Sequence, residues 1–260
     1  MSTDTSDVLV DLTDGVLRIT IDRPARMNSV TIETLNAAAD TLDKHVGDAA
    51  VRVVLLTGSG RAFCTGADLS TVGDVSGPPD GSTIDAANRL VAALRAFPRP
   101  VVAAVNGPAA GVGVSLALGA DLTVATESSY LLLAFTKIGL MPDGGATALV
   151  AASVGRARAL KMALLAERLP AVEAFEAGLI AQVFPDATFA EDVEGLVRGL
   201  VDGPSDAFAA TKTAINDATL GQLEPAFARE RAGQLDLLAA AAFAEGVDAF
   251  LNKRPAVFRR

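Results

Sequence analysis

The chain has 260 residues, half of them hydrophobic and a fifth charged, with a formal net charge of −9. One cysteine and one histidine exclude a disulfide framework and a His/Cys metal site, and the acidic balance argues against a duplex nucleic-acid partner. No run approaches the roughly 18–20 apolar residues of a membrane span, and residues 1–7 have neither the basic start nor the apolar stretch of a signal peptide, so a cytoplasmic α/β protein is expected.

In chain order, residues 8–12 and 16–21 read as a hairpin around Asp14-Gly15. Ile32, Leu35, Ala38, Ala39 and Leu42 fall at helical spacing and predict a helix over 31–46, with Thr31 as its N-cap. The β-branched run 51–57 has the continuous apolar character of a strand buried on both faces. Residues 73–82, with two prolines and three glycines, read as a mobile surface loop. A helix over 84–96 stops before Pro98 and Pro100. Then follow a strand at 101–105, a small-residue helix at 111–120, a strand at 122–125 and a short apolar segment at 130–135. Such alternation implies βαβ units and parallel pairing. Beyond about residue 150 helical patterns dominate, with one further strand within 179–184. The expected organisation is an α/β core over 1–200 and a helical region over 201–260.

Two strand-to-helix turns can carry chemistry, 60–68 and 106–113. Glycine lets backbone approach a ligand, and a helix N-terminus offers unpaired N–H donors. Two such turns face to face could aim two N–H groups at one oxygen. From glycine spacing alone, ordinary βα turns are the simpler reading.

The residues of these turns resemble a known family. Arg61-Ala-Phe-Cys-Thr-Gly-Ala-Asp-Leu69 and Val102-Ala-Ala-Val-Asn-Gly-Pro-Ala-Ala-Gly-Val-Gly113 are similar to the two signatures of the crotonase (enoyl-CoA hydratase/isomerase) superfamily. Supporting matches are Ile21-Asp-Arg-Pro-Ala-Arg-Met-Asn28, Phe135-Thr-Lys-Ile-Gly-Leu-Met-Pro-Asp-Gly-Gly145, Ala171-Val-Glu-Ala-Phe-Glu-Ala-Gly-Leu-Ile180 and the stretch from Glu245 to Phe258. The resemblance implies a ββα-spiral core, a helical C-terminal trimerisation region (a homotrimer or a dimer of trimers) and an acyl-CoA substrate. No further cofactor is expected, and RNA binding, known for occasional members of the superfamily, is disfavoured by the charge of −9. The N–H groups of Ala67 and Val112 would bind the thioester oxygen, Val112 departing from the glycine common there. Coenzyme A would lie along Ala25, Arg26, Met27, Phe63, Cys64, Gly66 and Asp68, with Phe250 and Lys253 reaching the ligand of a neighbouring subunit. The acyl group would meet Gly111, Ser115, Phe135 and Leu140. Arg26, Lys253 and Arg254 are the basic residues expected to offset the phosphates.

Hydratases of this superfamily use two glutamates, and by resemblance those positions fall here on Ser115 and Phe135. Neither carries a proton well at neutral pH. Asp143, between Pro142 and Gly144 and among apolar neighbours, is the acid that remains; Pro-Asp-Gly-Gly is also simply a good turn. The stretch around it is similar to the enoyl-CoA isomerases with an aspartate after this proline, including the ring-opening type of phenylacetate breakdown. An isomerase working through Asp143 is expected, the alternatives being a hydratase or lyase of the same fold and a non-catalytic acyl-CoA binder. Asp68 is expected to cap a helix, His45 to sit at the surface, and Cys64 to be a small core residue. Tyr130 could line the acyl pocket or close the core.

Overall fold

The computed structural model describes residues 7–71 and 79–258. β1 (Val8–Thr13) and β2 (Val16–Ile21) pair antiparallel, and Asp14 and Gly15 both take positive φ, the geometry that a tight hairpin requires. α1 (Ile32–His45) starts where Thr31 accepts a hydrogen bond from the Thr34 amide, and it buries the predicted stripe of Leu35, Ala38, Ala39 and Leu42. There follow β3 (Val53–Gly58), α2 (Ser82–Ala96), β4 (Val101–Val105), β5 (Ala109–Ala110) and α3 (Val112–Gly119). Next come β6 (Leu122–Thr126), β7 (Tyr130–Leu132), a 3-10 turn at Phe135–Ile138, and α4 (Ala146–Leu165). β8 (Leu169–Pro170), α5 (Ala171–Glu176), β9 (Gln182–Phe184), α6 (Phe189–Val201), α7 (Ser205–Thr219), α8 (Leu223–Leu238) and α9 (Ala241–Leu251) complete the order.

The main sheet has the order β1-β2-β3-β4-β6-β9, parallel throughout after the first hairpin. β5, β7 and β8 form a second, smaller sheet. Alternation along β3 explains its continuous apolar run. Val54 and Leu56 face the large core with α1, α2 and α3, while Val53 and Leu55 join Val16, Val102, Ala104 and Val124 under Val193 and Val197 of α6. A strand covered on both sides needs apolar residues at every position.

The differences from sequence expectation are local. β3 begins at Val53 rather than 51, because the Val51 amide closes a turn onto Asp48. Of the loop expected over 73–82, residues 73–78 lie outside the described residues and Ser82 already opens α2. β5 and β8 are two residues each, too short to show alternation. α4 is kinked at Gly155. No described helix is long and apolar enough to cross a membrane.

The C-terminal helices return to the core. Leu223 and Phe227 of α8 belong to the same buried cluster as the sheet and press against Gly145. α9 lies on the 3-10 turn: Gly246 fits against Ile138, and Gly139 against the backbone of Ala242–Phe243.

Candidate active site

The turns after β3 and β4 run side by side. Cys64 and Ala109 form a parallel bridge in which the Ala110 amide donates to the Cys64 carbonyl at 2.8 Å. Two buried or half-buried asparagines hold the first turn: Asn28 Nδ2 donates to the carbonyls of Ser59 and Ala62, and Asn106 Nδ2 to those of Gly58 and Gly60. Gly66 (φ 103°) and Gly111 (φ 54°) meet at the contact, where a Cβ on Gly66 would sit 3.3 Å from the Ala110 carbonyl oxygen and one on Gly111 3.4 Å from the Gly66 Cα. Only residues without side chains permit that approach in those conformations. The next residue in each turn is Ala67 and Val112. Neither of their amides donates to any acceptor among the described residues. Val112 is the first residue of α3, so its free N–H is one of the orphan donors of a helix start. Two unpaired N–H groups thus follow two glycines in van der Waals contact.

The Asp143 loop packs against Val112 and is held from two sides. Ser115 of α3, fully buried, donates to the Asp143 main-chain carbonyl at 2.7 Å, and Gly144 packs on Ser115 and the Val112 side chain. From α8, Gln234 Nε2 donates to Asp143 Oδ2 at 2.9 Å and to the Met141 carbonyl at 2.7 Å. Oδ1 is sealed from solvent and has no hydrogen-bond partner among the described residues. Burial, with the Glu230 carboxylate nearby, raises the Asp143 carboxyl to about 7 against the opposing hydrogen bond from Gln234. A base poised near neutrality beside two N–H donors can move a proton on and off carbon while an oxyanion is stabilised.

Glu230 is buried in the same wall. Its oxygens accept from the amides of Gly145 (2.7 Å) and Thr147 (2.8 Å) and from the Thr147 hydroxyl (2.5 Å), so it caps the start of α4. Burial pushes its own carboxyl upward, against those hydrogen bonds. Sequence reading singled out neither Glu230 nor Gln234. The signal was present: Leu223, Ala226, Phe227, residue 230 and residue 234 form one helical stripe, so two polar residues occupy its buried face.

The other sequence candidates divide. Ala25 and Arg26 are exposed and Met27 half-buried in the turn before α1, and Arg26 has no ion pair among the described residues. The side chains of Phe63 and Cys64 point into the core and their amides bond to Pro108, so a ligand meets neither side chain. Burial drives the Cys64 thiol up to about 12, consistent with a core role. Asp68 is buried, pairs with Arg23 at 2.9 Å and accepts from the Ser70 amide, thereby capping a 3-10 turn at Leu69–Thr71. Phe135 is buried and Leu140 half-buried against the core. Ser115 is committed to the Asp143 loop rather than open to a pocket. Phe250 and Lys253 are exposed at and just beyond the end of α9. Arg254 differs from expectation. It is bound by Glu245 and Asp248 of α9, just beyond whose end it lies, and is no free cation. Residues 259 and 260 lie outside the described residues. His45 bonds back to the Thr41 carbonyl at the surface end of α1, and Tyr130 lies under Arg168, 4.5 Å from ring centroid to guanidinium.

Comparisons with known proteins converge on one family. A profile described as "Enoyl-CoA hydratase/isomerase" matches residues 11–260. A Rhodobacter capsulatus protein named "Probable enoyl-CoA hydratase" is 42% identical over 253 residues, covering 95% of this chain and 96% of its own. The "1,2-epoxyphenylacetyl-CoA isomerase" of Escherichia coli is 41% identical over 255 residues, with 96% and 97% covered. Among solved structures, an enoyl-CoA hydratase from Mycobacterium avium subsp. paratuberculosis superposes with a TM-score of 0.92 at 47% identity, covering 99% of this chain and all of that one.

Proposed function

The chain is an enzyme of the enoyl-CoA hydratase/isomerase family, with the crotonase fold, and within that family we propose that it is an isomerase acting on an acyl-CoA thioester through Asp143. The observation that carries this reading is the Asp143 carboxyl, raised to about 7, on a loop that packs against Val112, whose N–H, like that of Ala67, is unpaired among the described residues. Asp143 takes a proton from carbon, breaking a C–H bond and forming an O–H bond, and the electron pair spreads into the thioester as an enolate. The N–H groups of Ala67 and Val112 hold the enolate oxygen; one such donor contributes roughly 3–4 kcal/mol in comparable sites. Return of the proton to another carbon shifts the double bond without consuming water. Ser115 and Phe135, standing where the resemblance puts the hydratase glutamates, supply no carboxyl to activate water, and Glu230, the other buried carboxyl of this wall, is engaged by Gly145 and Thr147.

Coenzyme A runs past the exposed turn of Ala25, Arg26 and Met27 and the rim at Gly66–Ala67, and the acyl chain enters by Gly111, Phe135 and Leu140. Copies of the chain assemble through the helical region over 201–260, which brings Phe250 and Lys253 towards a neighbour's ligand. In D₂O, 3-enoyl-CoA esters acquire solvent deuterium with wild type, and Asp143→Asn abolishes the exchange while retaining CoA-ester binding. Exchange at near wild-type rate in the variant overturns the assignment. The relatives carry both hydratase and isomerase names, which supports hydration as a second reading. Loss of the enoyl absorbance of crotonyl-CoA at a rate comparable to isomerisation favours it.

A further inference from the structure

We infer that Gln234 is a positioning residue that dedicates one oxygen of Asp143 to holding the side chain and leaves the other, Oδ1, as the oxygen that takes and returns the proton. The inference rests on the isomerase reading of Asp143 and adds the residue that divides labour between its two oxygens. The Gln234 amide has one chemically sensible orientation. Its Nε2 lies 2.7 Å from the Met141 carbonyl oxygen and 2.9 Å from Asp143 Oδ2, and the reverse orientation would set oxygen against oxygen at both contacts. Nε2 therefore spends one hydrogen on each, and Oδ2 faces a fixed donor. Protonating Oδ2 would weaken the bond it accepts, whereas Oδ1 has no donor among the described residues to lose. Gln234 is itself almost wholly buried on α8, so the arrangement does not relax into solvent.

The groups facing Asp143 are Glu230 of α8, whose charge opposes ionisation, and Gln234, whose bond favours it. Arg229 of α8 acts on Glu230. α3 contributes Ser115 to the main-chain carbonyl, and the start of α4 contributes Thr147 to Glu230. Gln234 thus keeps the raised carboxyl from climbing beyond the range where it is a useful base.

The test compares wild type with Gln234→Met, which keeps the bulk and removes both donated hydrogens. The Asp143 titration is followed by ¹³C NMR of labelled aspartate, assigned by its loss in Asp143→Asn, alongside the pH profile of deuterium exchange into 3-enoyl-CoA. The expected result is an upward shift of both the titration and the acid limb of kcat/KM, with exchange below neutrality falling by up to about 10²-fold from loss of position and charge together. CoA-ester affinity stays within about twofold of wild type. An unmoved titration in folded Gln234→Met overturns the inference. If the titration moves but wild type exchanges no proton, the isomerase reading fails while the hold of Gln234 on Asp143 stands. Should Gln234→Met not fold, Gln234→Glu has the same size and at most one hydrogen to donate, and the titration again moves up. A downward or absent shift in that variant overturns the inference as well.

Discussion

At Asp143 a turn sequence and a base coincide, and stability separates the two. A carboxyl raised from 3.8 to about 7 binds its proton more tightly in the folded chain than in the unfolded one. Between those values the unfolded state carries the fewer protons, so stability falls as pH rises, at up to about 1.4 kcal/mol per pH unit. Below about 4 the group is neutral in both states, and above about 7 it is ionised in both. Asp143→Asn therefore gains stability relative to wild type as pH climbs from 4 to 7, and the gain is constant above that window. Denaturant unfolding of both proteins at several pH values measures it; a pH-independent difference would mean that the carboxyl is not raised. The residue itself was singled out by family resemblance, its apolar neighbours and rigid Pro142 being equally those of a simple turn. Its environment was not legible, since Glu230 and Gln234 lie some 90 positions further on and meet it only through folding.

Among the elements, the two βα turns and α8 carry the site. The turns were readable because glycine in a strand-to-helix connection has a backbone reason, and Gly66 and Gly111 do occupy positive φ in mutual contact. Gly66→Ala tests that pair. At φ 103° a Cβ is strained, and its contact with the Ala110 carbonyl would shift the Ala67 amide. Expected are a loss of about 1–3 kcal/mol in unfolding free energy and a fall in kcat of up to about 10²-fold with CoA-ester binding retained. The second sheet was illegible for the opposite reason, since two-residue strands such as Ala109–Ala110 and Leu169–Pro170 have no period to detect. α8 lies in the stretch read only as broadly helical, and Pro225, read as punctuation, falls inside its first turn. Glu230 joins it to α4 by accepting from Gly145 and Thr147, so Glu230→Ala leaves two helix-start amides without an acceptor. The cost is about 1–3 kcal/mol, seen as a lower Tm. Glu230→Gln keeps an acceptor and removes the charge, which lowers the Asp143 carboxyl and moves the acid limb of kcat/KM down, opposite in sign to Gln234→Met.

Across the whole molecule the same folding-back decides which cations a negatively charged ligand can find. The family resemblance set an anionic coenzyme against a chain of net charge −9 and nominated Arg26, Lys253 and Arg254 to offset its phosphates. They are not equal. Arg254 closes the end of α9 by pairing with Glu245 and Asp248, and Glu245 also accepts from the Val257 amide at 2.7 Å. These bonds hold the Glu245 carboxyl down at about 2. The tail is thereby fixed against α9, with Phe250, Leu251, Val257 and Phe258 exposed around it and Lys253 left unpaired among the described residues. Arg254 thus orients the tail, and under the proposed function the phosphates would fall to Arg26 and Lys253. Arg254→Ala releases the tail without touching the Asp143 loop, so KM for an enoyl-CoA ester should rise on the order of two- to fivefold, as suits exposed ion pairs, while kcat stays within about twofold. Lys253→Ala should raise KM in the same way but make it less sensitive to salt, because one of the two charges that salt screens has been removed. Steady-state kinetics of both variants at low and moderate ionic strength separates the two roles. A fall in kcat with unchanged KM in Arg254→Ala would place the tail at the chemistry instead of at the coenzyme.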